Sequence, residues 1–133
     1  MGKLLKIDNI MYRVTDLAKA ESFYRNVLGL TKAWEDKEQK MVGFKLKESD
    51  AEIVIHSNTD IPRFDYSYLV EDVVSFCNEY KAKGYELALQ PIDVRCGKYA
   101  VLQDSDGNRI PIIDLTKFAE KPRYQSWSKI LKR

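Results

Sequence analysis

The chain has 133 residues, 44% of them apolar and 32% charged, enough for one ordinary domain or two small modules that share a core. Its formal charge of +2 conceals a basic tail: residues 117–133 hold six Lys or Arg against one Glu, which leaves about −3 on the body and argues against a folded basic face for nucleic acid. No apolar run approaches the roughly 20 residues of a membrane helix, and residues 1–10 enter a strand pattern without a signal segment, so no membrane partner and a cytoplasmic location are expected.

The first element in chain order is a strand over residues 7–14, where Ile10, Tyr12 and Val14 alternate with Asn9, Met11 and Arg13. Asp16 then stands as a helix N-cap. Leu17, Ala20, Phe23, Tyr24, Val27 and Leu28 recur at helical spacing, and Gly29 is placed to end the helix in the left-handed region. Three apolar runs follow as a meander, residues 30–34, 41–46 and 51–56, separated by polar turns. Residues 57–63, SNTDIPR, read as a linker.

The pattern then restarts. A shift of 56 positions lays Tyr12 on Tyr68, Val14 on Val70, Asp16 on Asp72 and Tyr24 on Tyr80. The second copy runs through a strand at residues 65–70, a helix with Val73, Phe76, Cys77 and Tyr80 on its apolar stripe, and a stop at Gly84. Strands are predicted at 85–89, 98–103 and 109–115, with a proline-containing loop at 90–97 and an Asp-Gly turn between the last two. Cys77 falls in the core stripe, and with Cys96 as the second cysteine no disulfide framework or zinc knuckle is suggested.

The expected fold class is α+β: two βαβββ modules forming a curved mixed sheet around a shared cavity. The chain reads as a single domain, with module one at about 5–56, the linker at 57–63, module two at about 64–116 and a tail at 117–133. Function is expected in the cavity.

The residues VTDLAKAESFYRNVLGL, the second-half VEDV and QDSDGNRIPIIDL resemble the vicinal oxygen chelate superfamily, which includes glyoxalase I, bleomycin resistance proteins and extradiol dioxygenases. The resemblance covers residues 6–117 in both halves and is similar in detail to a small glyoxalase-like bacterial branch. It implies the fold, and it implies four places where metal-dependent members carry ligands. Those places hold Asn9, Asp65, Val54 (or His56, two residues on) and Pro111 here. Proline offers no donor, His56 is the chain's single histidine, and a borderline divalent metal asks for three or four N, O or S donors. No metal cofactor is therefore expected. A divalent metal on Asn9, His56 and Asp65 is the alternative.

The resemblance also places Arg13 where glyoxalase I grips a carboxylate of its bound adduct, a task suited to a guanidinium fork. An internal partner such as Glu52 or Asp65 is the other reading of Arg13. The expected ligand-binding set is Asn9, Met11, Arg13, Val54, His56, Asp65, Arg95 and Pro111, with Asp65 as the candidate base. Trp34, Phe44 and Tyr99 are further candidates for the cavity wall, and His56 is read as a partly exposed strand end.

Two functions follow. One is a metal-free binding protein of the bleomycin-resistance type for a small anionic or amphipathic ligand. The other is a glyoxalase-type lyase or isomerase, with a degenerate metal site or Asp65 as base. A homodimer is expected because Phe118, Tyr124, Trp127, Ile130 and Leu131 crowd the tail.

Overall fold

A computed structural model describes residues 3–61 and 65–118. The chain divides into two compact units, Asn9–Tyr66 and Met1–Asp8 with Ser67–Arg133. The fold is α+β, and the same βαβββ order occurs twice.

The first unit contains most of β1 (Lys6–Arg13), helix α1 (Leu17–Ser22), β2 (Thr31–Asp36), β3 (Met41–Lys45) and β4 (Glu52–His56). Its strands lie in the order β2-β3-β4-β1, with β1 parallel to β4 and the other pairs antiparallel. The Asp16 carboxylate accepts from the Lys19 N–H at 3.0 Å and caps α1 as the sequence suggests. Beneath α1, Val42, Phe44 and Ile55 are fully buried and pack with Val14, Leu17, Ala20, Tyr24, Leu30 and Ile53. Burying each such Val, Ile or Phe contributes about 1.5 to 3 kcal/mol. Tyr24 stacks on Phe44 with ring centroids 5.7 Å apart. Phe44 is thus core under the helix and not a wall residue of the opposite face.

The helix does not continue regularly to Gly29. After Ser22 the chain widens into a π-helical turn, Phe23–Val27, before Gly29 ends it at φ +72°. The wider turn rotates the last residues off the apolar stripe. Val27 is 68% exposed, and Phe23 and Leu28 are about half exposed, although the 3.6 spacing assigned all three to the core.

The second unit contains most of β5 (Tyr66–Leu69), α2 (Val73–Ala82), β6 (Leu87–Asp93), β7 (Lys98–Gln103) and β8 (Arg109–Ile113). Its order is β5-β8-β7-β6, with β5 parallel to β8 and the rest antiparallel, the same pattern as in the first unit. Asp72 caps α2 through the Ser75 N–H at 2.9 Å, and Cys77 is buried in the core with Val70, Val73, Phe76, Ala100, Leu102 and Ile112, as expected. Strand β6 runs through the predicted loop as far as Asp93, Pro91 included. It is the edge strand, and two register shifts relieve the ladder there, so a missing N–H is tolerated.

Asp114 is the polar centre of this unit. Fully buried, its carboxylate accepts from the Val73 N–H (2.7 Å), the Lys98 N–H (2.9 Å), the Thr116 N–H (3.2 Å) and the Thr116 hydroxyl (2.8 Å). One side chain therefore satisfies the first turn of α2, the start of β7 and the exit from β8. A Cβ on Gly97 would overlap the carboxylate, so that position has no room for a side chain.

Among the described residues no helix is long and apolar enough to cross a membrane. The tail residues Tyr124, Trp127, Ile130 and Leu131 lie outside the described residues.

Candidate functional site

Strand alternation in the first unit sends Ile53 and Ile55 of β4, and Val42 and Phe44 of β3, toward α1. Their neighbours face the other way, and the register arranges them in three rows across the sheet. Asn9, Glu52, Lys45 and Thr31 form the first row. Met11, Val54, Gly43 and Trp34 form the second, and Arg13, His56, Met41 and Asp36 the third. Groups of both signs, Glu52 and Lys45 in the first row and Arg13 and Asp36 in the third, flank an apolar middle.

Trp34 reaches this face because β2 is bulged. The pairing runs Lys32 to Phe44 and then Trp34 to Gly43, so Ala33 is an extra residue. Lys32 and Glu35 consequently sit on the α1 side, where the Lys32 ammonium pairs with Glu35 at 2.5 Å and Glu21 of α1 at 3.3 Å. Trp34 turns to the other side. Its indole lies over Gly43, where a Cβ would overlap the ring, and Nε1 donates to Glu52 Oε1 at 3.1 Å. Glu52 is 4% exposed. A carboxylate this deep persists only with hydrogen-bond donors of this kind around it.

At the other end, His56 is 2% exposed, where the sequence suggested a partly exposed strand end. The ladder on both sides encloses it: β1 and β3 supply Arg13 and Met41 as its register partners. Its Nδ1 accepts from the Asn58 N–H at 3.2 Å, a bond that requires an unprotonated Nδ1. Burial, and after it the neighbouring Arg13 charge, hold the imidazole pKa below its ordinary value. Arg13 itself is exposed, and its Nη2 donates to the Ile61 carbonyl at 2.8 Å, so the internal partner is a carbonyl rather than Glu52 or Asp65.

Of the sequence candidates, Asn9, Met11, Arg13, Val54 and His56 thus share one face of one sheet. Asp65 belongs to the same unit but lies outside the strand and is exposed, with its carbonyl accepting from the Met11 N–H at 2.8 Å. Arg95 and Pro111 belong to the other unit. Arg95 is exposed with its guanidinium 5.8 Å from the Phe118 ring centroid, and Pro111 is buried in β8 opposite Val101. Tyr99 is buried on the face of that sheet away from α2, since Ala100 and Leu102 face the helix.

Glu52 is the residue that sequence reading passed over as more than an ion-pair partner. The signal was present: two-residue steps back from His56 through Val54 lead to it on the same face.

The donors on this face do not fit the divalent metal of the metal-dependent relatives. Glu52 and His56 are four residues apart on one strand, about 13 Å at the backbone. Among the described residues no three His, Cys, Asp or Glu side chains converge on one point.

The sequence profile described as "Glyoxalase/Bleomycin resistance protein/Dioxygenase superfamily" matches residues 6–112. A lactoylglutathione lyase of Haemophilus influenzae is 29% identical over 125 residues, covering 83% of this chain and 93% of the relative. Among solved structures, methylmalonyl-CoA epimerase from Mycobacterium tuberculosis superposes with a TM-score of 0.61 at 15% identity, over 82% of this chain and 87% of that one. The Mn(II)-bound glyoxalase from Novosphingobium aromaticivorans gives 0.57 at 20% identity, over 86% of this chain and 40% of that one. At these identities the two structural likenesses speak for fold alone.

Proposed function

Because the chain belongs to the glyoxalase/bleomycin resistance protein/dioxygenase superfamily, we propose that it binds a small organic anion without the metal of the metal-dependent members, on the face of the first sheet turned away from α1. The observation that carries this is the Arg13–His56 row. Arg13 stands at the end of a strand in parallel register with a buried imidazole, and one of its donors is tied to the Ile61 carbonyl. A guanidinium has five donors in all, and its fork suits the two oxygens of a carboxylate or phosphate. Met11, Val54 and the indole of Trp34 supply the apolar surface that a ligand's carbon skeleton needs.

The test is a thermal-shift series with small alkyl carboxylates and phosphates. A ligand that binds the native state alone raises apparent stability by RT ln(1 + [L]/Kd). Arg13→Ala is expected to abolish the shift while the unliganded melting temperature changes little, because removing one partner of a charge-assisted contact costs about 2 to 5 kcal/mol of binding. A variant that keeps the ligand shift, or that mainly lowers the unliganded melting temperature, sinks the assignment of Arg13.

A lyase or isomerase is the second reading, favoured by the lyase at 29% identity. Glu52 is buried and Asp65 exposed, and that contrast supports Glu52 over Asp65 as the group to take a proton. Exchange of a proton α to a carbonyl in deuterated water, followed by NMR, tests it. No exchange above the uncatalysed rate removes the enzyme reading.

A further inference from the structure

We propose that the anion site is proton-coupled: an anion held by Arg13 draws a proton onto His56, and the hydrogen bond that His56 then gives up releases residues 57–61 from the end of β4. This rests on the anion-binding reading of the same face and goes beyond it by naming what regulates the site.

His56 is joined to the segment that follows it. Its Nδ1 accepts from the Asn58 N–H at 3.2 Å, so the neutral ring carries its proton on Nε2, and Nδ1 is where a second proton must go. A proton there faces another donor, and the bond is lost. Asn58 in turn holds the segment together: its carbonyl accepts from the Ile61 N–H (3.4 Å), its side-chain oxygen accepts from the Asp60 N–H (2.9 Å), and its side-chain amide donates to Gln39 in the turn after β2 (3.2 Å). The far end of the segment is the Ile61 carbonyl, which takes a donor of Arg13 at 2.8 Å. Releasing the segment returns that donor to the guanidinium fork, where an anion can use it.

The charges around the imidazole set the sign. Strand β1 brings Arg13 directly beside it, β3 brings the uncharged Met41, and β2 brings Asp36 one strand further on. Lys40, in the turn before β3, and Asp60, on the segment itself, are exposed. Of these charges it is Arg13 that bears on His56, and together with burial it keeps the ring neutral. An anion seated on Arg13 offsets that charge and makes the imidazolium easier to form. Linkage is reciprocal, so a proton on His56 strengthens anion binding by the same factor. The site loads as pH falls and unloads as pH rises.

Butanesulfonate is the probe, because a sulfonate stays ionised throughout and brings no titration of its own. Its affinity, measured by titration calorimetry from pH 7.5 to 5.5, is expected to rise about fivefold or more, the low end of ordinary coupling between two sites. The chain has a single histidine, so its ring resonances in NMR report one titration, read on the native protein whether or not a variant folds. The midpoint of that titration is expected to move up on saturation with butanesulfonate, and the Asn58 amide resonance to shift with the same midpoint. Arg13→Ala is expected to raise the midpoint in the ligand-free protein, and His56→Gln to make the affinity independent of pH. An affinity that is flat in the native protein, or a midpoint that butanesulfonate leaves in place, overturns the coupling and leaves the anion site standing. A pH dependence that survives His56→Gln overturns the role of His56, and a midpoint that Arg13→Ala does not raise removes Arg13 as the link. An Asn58 amide that stays in place through the titration overturns the release of the segment. If butanesulfonate binds at no pH, the anion-binding reading fails and the coupling with it.

Discussion

Trp34 and Glu52 meet across an intervening strand: the indole of β2 passes over Gly43 of β3 and donates to the carboxylate of β4 at 3.1 Å. The contact exists because the middle strand has no side chain at that point. Gly43→Ala is expected to push the indole off the face and break the bond. Overpacking of this kind costs about 1 to 3 kcal/mol. Thermal unfolding measures the cost, and loss of the downfield Trp34 Nε1–H resonance reports the broken bond. A variant that keeps both stability and that resonance removes Gly43 from the account.

Asp114 ties three elements of the second unit with four hydrogen bonds from a fully buried carboxylate. Asp114→Ala leaves those donors unmet at the start of α2 and β7. A loss of about 3 kcal/mol or more in chemical denaturation is expected. Gly97→Ala, which intrudes on the same carboxylate, is expected to lower stability in the same direction. A loss below about 1 kcal/mol for Asp114→Ala would mean that the donors find other partners.

His56 makes stability depend on pH. Its folded pKa lies below the ordinary value of 6.5, through burial and then the Arg13 charge. Between those two values the unfolded chain holds the extra proton, so stability falls as pH falls through the window and is level above it. His56→Gln, whose side-chain oxygen can still accept from the Asn58 N–H, is expected to flatten this dependence. Urea unfolding of both proteins from pH 7.5 to 5 measures it. Parallel curves would show that His56 is not the titrating group.

A homodimer is proposed from two apolar sets. The tail set of Tyr124, Trp127, Ile130 and Leu131 lies outside the described residues, whereas Phe23, Val27 and Leu28 are exposed at the π-helical turn. Sedimentation at micromolar concentration is expected to give twice 15.5 kDa, and Val27→Lys tests whether the π-helical turn takes part. A monomer in the native protein removes the dimer. A dimer that Val27→Lys leaves intact points to the tail.

The parts of the fold that are local in sequence were the legible ones. Asp16 and Asp72 cap helices, and Gly29, Gly84 and Gly107 take positive φ, because a cap or a turn is decided within four residues. The repeat made the second unit readable from the first. The shared face was legible where alternation is unbroken, as from Asn9 through Met11 to Arg13. It was obscured where the backbone departs from its period: the bulge at Ala33 turns Trp34, and the π-helical turn exposes Val27. Burial of His56 and Glu52 depends on what the neighbouring strands bring beside them, and one strand's own pattern does not contain that.

The bulge bears on how this strand tolerates length change. With Ala33 present, Lys32 and Trp34 already pair with adjacent residues, Phe44 and Gly43. Excising Ala33 therefore leaves a regular strand in which Lys32, Trp34, Glu35 and Asp36 keep their sides and partners. Removing Trp34 instead would let Ala33 take its place opposite Gly43, which keeps Glu35 and Asp36 in register but takes the indole off the face. Ala33 is the codon in this stretch that a lineage can lose without rewriting the face.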